Sequence, residues 1–133
     1  MRSARNRGRA LLRVMFCAML SVTIAGCSDI LAAAGLTDLS GYWVGRYDSD
    51  FDFYLDLDDD VYGVYGRAGL VRGGSYSDIY VDAVRDGSRI VFYADEPGYG
   101  STPIFEGHVT GRDRIDGIAY LEVIPRAVIL HRQ

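Results

Sequence analysis

Asp48, Asp50 and Asp52 stand at alternate positions and are followed by Asp56, Asp58, Asp59 and Asp60, the most acidic segment of the chain. Clustered carboxylate oxygens suit a hard cation such as calcium. An EF-hand loop beginning at Asp48 would need Gly where Phe53 stands and Glu where Asp59 stands, so that spacing fails. Phe51, Phe53, Leu55 and Leu57 alternate with Asp52, Tyr54, Asp56 and Asp58. The acids are therefore read as the wet face and turns of a hairpin whose other face is buried. Glu106 and His108 form a Glu-x-His pair that could contribute to a metal site or an acid/base dyad. His131 is the only other histidine, which leaves a three-ligand zinc site poorly supplied. Phe105, Gly107 and Val109 look like the buried alternates, which turns Glu106 and His108 outward. No Gly-x-Ser-x-Gly, phosphate loop or dinucleotide fingerprint occurs. The expectation is a protein without a catalytic centre, a metal or a cofactor.

All ten tyrosines lie between residues 42 and 120, and the chain has no lysine. Tyrosine joins a large apolar face to a hydrogen-bonding tip and is enriched where proteins bind other molecules. Tyr62, Tyr65, Tyr76 and Tyr99 fall in or beside the two longer connections expected below. They are the candidate ligand- or partner-binding residues, with rim packing as the alternative use of their rings.

The elements that must position these residues are strands. From Gly41 onward no window carries a convincing 3.6-residue apolar period, whereas period-2 alternation recurs. Ile79, Val81 and Ala83 alternate with Tyr80 and Asp82, and Ile90, Phe92 and Ala94 alternate with Val91 and Tyr93. Asp86-Gly87 joins those two runs with a dipeptide suited to a tight hairpin. The pattern predicts eight strands, at about 41–47, 51–58, 61–67, 77–85, 88–95, 103–110, 114–122 and 126–132. Two connections are longer, Ala68 to Tyr76 and Glu96 to Thr102. Short links favour antiparallel neighbours, because parallel ones need crossovers of a dozen or more residues. The fold class is all-β: an eight-stranded up-and-down barrel, or alternatively an eight-stranded sandwich, since periodicity does not separate closure from stacking. Phe51, Phe53, Leu55, Leu57, Ile79, Val81, Ile90 and Phe92 are expected to fill the interior.

The first 26 residues belong to a different kind of segment. Arg2, Arg5, Arg7, Arg9 and Arg13 precede an apolar stretch, Val14 to Ala25, broken only by Ser21 and Thr23. Basic, apolar, then small is the order of a secretory signal, and the run is shorter than the roughly 18 residues a membrane span needs. It closes on Ile24-Ala25-Gly26-Cys27, which resembles the lipobox of bacterial lipoproteins. The resemblance implies a cleaved signal peptide over 1–26, lipidation of Cys27, and a membrane partner reached through acyl chains such as palmitate. In that family the next residue guides sorting. Ser28 there, where Asp would favour retention at the inner membrane, implies the outer membrane, facing the periplasm, in a double-membraned cell. Cys17 leaves with the signal, so no second cysteine remains to pair with Cys27. Residues 27–40 read as a lipidated tether with a short helical turn ended by Gly35, and residues 41–133 as the β domain. Fully extended, that tether would reach about 40 Å. Loss of five of the 14 arginines leaves nine against 18 acids, a mature net charge of about −9. Such a surface repels phosphate backbones, so nucleic acid is not an expected partner.

The β domain opens on Gly41-Tyr42-Trp43, and Trp43 is the only tryptophan. This resembles the Gly-x-Trp of the first strand in calycins, the superfamily of lipocalins, fatty-acid-binding proteins and avidins. The resemblance implies that Trp43 closes one end of an antiparallel barrel, with Arg132, or failing that Arg126, packed across its ring. The paired cysteines and further motifs of true lipocalins are absent from the chain. The expectation for function is a lipid-anchored, non-enzymatic envelope protein whose barrel binds a partner. Two alternatives stay open: a carrier or sensor of a small apolar ligand, and an inhibitor or assembly partner of a basic envelope protein.

Overall fold

The structure, a computed structural model, describes residues 30–32, 34–73, 75–76, 78–95 and 102–133. The leader, Cys27 and Tyr99 lie outside the described residues. Nine strands are described: β1 (Gly41–Arg46), β2 (Asp52–Asp60), β3 (Gly63–Arg72), β4 (Ser75–Tyr76), β5 (Ile79–Asp86), β6 (Arg89–Ala94), β7 (Pro103–Gly111), β8 (Arg114–Ala119) and β9 (Arg126–Arg132). Eight of them form a closed antiparallel barrel, and the two-residue β4 folds back on the end of β3. The ring closes between first and last strands, with Trp43 opposite Arg132 and Val44 opposite His131. Closure leaves the barrel no free edge, and it decides against two stacked sheets.

The interior is made by the alternation that β2 shows best. Phe53, Leu55 and Leu57 point in, and Asp56 and Asp58 point out to water. Trp43, Phe53, Leu55, Ile90, Phe92, Phe105, Ile115 and Leu130 have no exposed surface at all. Phe53 stacks on Phe105 with ring centres 5.5 Å apart, and Phe92 tilts against the same ring at 6.1 Å. Each such side chain contributes about 1.5–3 kcal/mol by leaving water. A void large enough for water would leave its lining atoms accessible, so the middle of this barrel is filled.

Three expectations are corrected. Residues 68–72, expected in a loop, continue β3, because the nine-residue β2 offers a partner along its whole length, from Asp60 opposite Gly63 to Asp52 opposite Val71. The turn between these strands is Val61-Tyr62 and not Asp59-Asp60. The strand expected to run to residue 122 ends at Ala119, leaving a connection over 120–125.

The fourth difference concerns the segment read as a free tether. A single helical turn at residues 30–32 ends on Gly35, whose φ of 73° suits glycine, with Leu36 N–H donating to the Leu31 carbonyl at 2.9 Å and Gly35 N–H to that of Ala32 at 3.1 Å. From there the chain runs across one end of the barrel, burying Thr37 and Leu39. Residues 36–40 are therefore the barrel's plug and not a linker.

Candidate functional site

The plugged end is built around Trp43. Its indole N–H donates to the Leu39 carbonyl at 2.9 Å, and the Arg132 guanidinium lies 4.6 Å over the ring. The same guanidinium donates to the carbonyls of Ser40 at 2.9 Å, Asp38 at 2.5 Å and Arg112 at 3.1 Å, and pairs with Asp113 at 3.3 Å. Arg85 holds the plug from the other side, donating to the Thr37 carbonyl at 2.6 Å. Asp59 accepts from Leu39 N–H at 2.9 Å and lies 3.9 Å from Arg85. Burial pushes the Arg85 guanidinium below its ordinary value, opposed by the Asp59 carboxylate. These groups hold one another as a clasp, with Arg85 Nη2 and Arg132 Nε left without a hydrogen-bond partner among the described residues.

Asp48, Asp50, Asp52 and Asp60 of the acidic segment are also engaged within the fold, while Asp56 and Asp58 face water. Asp48 Oδ1 accepts from the backbone of Asp50 and Phe51, both at 2.8 Å, which holds its carboxyl below the usual range. Asp52 pairs with Arg46 at 3.3 Å and Asp50 with Arg72 at 3.8 Å. Asp60 caps the β2–β3 turn, taking Tyr62 N–H at 2.8 Å and the Tyr65 hydroxyl at 2.9 Å. Among the described residues no three His, Cys, Asp or Glu side chains stand together as a metal site would need. His108 faces out and its Nδ1 lies 3.3 Å from Ser88 Oγ, a contact invisible in the sequence. Glu106, which could have completed that pair, is taken by Arg89 at 2.7 Å, and Asp116 by Arg114 at 2.6 Å. The Ser88–His108 contact thus lies on an open wall, and among the described residues the two neighbouring carboxylates, Glu106 and Asp116, are turned to arginines.

Of the four candidate tyrosines, the three that are described are divided between the two ends of the barrel. Tyr62, in the β2–β3 turn, and Tyr65, near the start of β3, lie at the plugged end. Tyr76 belongs to β4, opposite Val71, at the other end of the barrel, where the connections 47–51 and 120–125 also gather. The reason is the up-and-down path: the turns after β2 and after β3 fall at opposite ends. No common site joins Tyr62 and Tyr65 to Tyr76.

What the sequence reading missed is an ordered patch on the outer wall. Tyr42 of β1 stacks on Tyr54 of β2 with centres 5.7 Å apart, and the Tyr54 hydroxyl donates to Asp78. Asp78 lies 3.7 Å from Arg67 of β3, whose guanidinium sits 5.9 Å over the ring of Tyr80 on β5. Burial, and then the bond to Asp78, raise Tyr54 well above the ordinary tyrosine range. The signal was present as outward alternates on four strands that neighbour one another, but only the strand order reveals the neighbourhood. Comparison with protein-family models, curated proteins and solved structures finds no match to this chain.

Proposed function

We propose that this is a lipid-anchored envelope protein that works by binding and not by catalysis, through the outside of a calycin-like barrel. The observation that carries the binding mode is the filled interior: Trp43, Phe53, Phe92 and Phe105 together occupy the space a carried ligand would need. A lipocalin-like carrier or sensor of an apolar molecule requires that space empty, which leaves the surface as the contact. The anchor is supported by the basic-apolar leader and Ile24-Ala25-Gly26-Cys27. The kinship with calycins is supported by Gly41-Tyr42-Trp43, the eight-strand meander and Arg132 over Trp43.

The contact surface is the wall of Tyr42, Arg67, Asp78 and Tyr80, with the buried Tyr54 holding Asp78 in place through its hydroxyl. Tyrosine and arginine dominate the energetics of protein interfaces, and here their side chains are held by one another, which lowers the ordering cost of binding. Tyr80 is 60% exposed and so available to a partner protein of the envelope. A photocrosslinking side chain at position 80, in intact envelopes, should give a discrete adduct that Arg67→Ala weakens. The same probe at Ile118, on the opposite wall, should give none. Equal adducts from both positions would remove the wall from consideration. For the anchor, Cys27→Ser should abolish palmitate labelling and shift the protein out of the membrane fraction, and unchanged fractionation would refute it.

A further inference from the structure

We infer that the plugged end of the barrel rests on the lipid bilayer itself, with Leu36, Val61 and Tyr62 entering the headgroup region, so that the opposite loop end points away from the membrane. This rests on the lipidated Cys27 proposed above. The first observation is the position of the chain's entry. Ile30 is already part of the plugged end, and only two residues stand between it and Cys27. At about 3.3–3.6 Å per extended residue, an acylated Cys27 is within about 10 Å of that end. Had residues 30–40 been free, the reach would have been about 40 Å and no orientation would follow.

The second observation is what this end shows to solvent. Leu36 is 70% exposed, Val61 93% and Tyr62 91%. Leu31 and Leu36 line one groove beside Arg132, and Leu36 and Val61 line a second beside Asp59. Leu36 lines both grooves, so exposed apolar groups extend from the helical turn to the β2–β3 turn, with Asp38, Asp59 and Asp60 among them in the groove walls. A β turn gains nothing in the fold from two large side chains pointed at water, while an apolar group next to an acyl anchor adds membrane affinity in proportion to its buried area. Asp60, Asp86, Asp113, Arg112 and Arg114 give this end charges of both signs, so the contact is apolar and does not depend on anionic lipid. Two exposed apolar side chains, Val123 and Ile124, also mark the far end. No anchor lies beside them, and they make a fair control.

The full lipidated protein, reconstituted in phosphatidylcholine vesicles, tests this directly. Cys17 goes with the leader and the Cys27 thiol is acylated, so one introduced cysteine is the only thiol to label. Val61→Cys and, separately, Val123→Cys carry an environment-sensitive dye; both sites are so exposed that the fold is unaffected, and Leu36→Cys serves as a second reporter at the plugged end. The dyes at 61 and 36 should shift to the blue and be quenched by brominated phosphatidylcholine several-fold more than the dye at 123. Vesicle-bound protein with quenching equal at both ends, or greater at 123, overturns the orientation while leaving the anchor intact. Shielding of position 61 from aqueous iodide without quenching by bromolipid assigns this face to a protein and likewise overturns it. Protein that fails to float with the vesicles refutes the anchor, and the orientation falls with it.

Discussion

Tyr54 shows how a single side chain couples the outer wall to solution conditions. Its hydroxyl donates to Asp78, and both burial and that bond raise its pKa. The folded protein thus holds this proton more tightly than the unfolded chain does. The associated stability is fully present below the unfolded value of about 10 and is lost as pH rises through the folded one. Tyr54→Phe should cost about 1 kcal/mol at neutral pH, as a lost hydrogen bond does. It should also flatten part of the alkaline loss, the remainder coming from Tyr47 and Tyr65, which are raised as well. Urea denaturation at pH 7 and again near pH 11 measures both, and an unchanged alkaline slope in the variant would remove Tyr54 from this role. Asp48 acts with the opposite sign, since its bonds from Asp50 and Phe51 lower its pKa. Its contribution holds above about pH 4 and fades as the pH falls below that. The difference in Tm between Asp48→Ala and the parent should accordingly shrink in acid.

Whether an element could be read in the sequence depended on where its order comes from. β2 was legible because its inward residues are large and its outward ones are mostly acids, so the alternation is its own signature. The second half of β3 was not, because it opens on Ala68 and Gly69, and small residues leave no period to detect, as at Gly66 just before them. Gly66 is needed all the same: a Cβ there would come within 2.0 Å of the Asp56 carbonyl oxygen. Gly66→Ala should cost about 3 kcal/mol or more, since the β2–β3 backbone has to part to admit it. The plug was hidden for a further reason. Leu36-Thr37-Asp38-Leu39 has no periodicity, and its placement comes from Arg85 and Arg132, far along the chain. The wall patch shared that obstacle, since Tyr42, Tyr54, Arg67 and Tyr80 meet only through the strand order. If the plug belongs to the core, Leu39→Ala should lose about 2–5 kcal/mol of unfolding free energy, as buried leucines do. Leu36→Ala, three residues away but exposed, should stay within about 0.5 kcal/mol. Similar small effects at both positions would return residues 36–40 to the status of a linker.

At the scale of the whole molecule the governing quantity is charge carried on a closed shell. Residues 41–133 hold nine arginines against 16 acids, and the barrel presents nearly all of them outward. Two effects then oppose each other in salt. The ion pairs, such as Arg89–Glu106 at 2.7 Å and Arg114–Asp116 at 2.6 Å, are weakened by screening. The repulsion among the excess acids is weakened too, and that favours the folded state. Distance decides between them. The pairs are in contact, far inside the screening length even at physiological salt, where it is about 8 Å. They are also largely exposed and worth at most about 1 kcal/mol each. The unpaired acids lie around the circumference of the barrel, at separations where reducing the screening length from about 30 Å to about 8 Å removes most of the interaction. Raising sodium chloride from roughly 0.01 M to 0.15 M should therefore raise the Tm by a few degrees, since about 1 kcal/mol corresponds to roughly 4–8 °C in a domain of this size. Replacing exposed Asp58 by Asn should capture part of that gain at low salt and diminish the response. Should the Tm instead fall as salt is added, the surface pairs would outweigh the net charge, and the acidic face of β2 would have to be regarded as holding the barrel together.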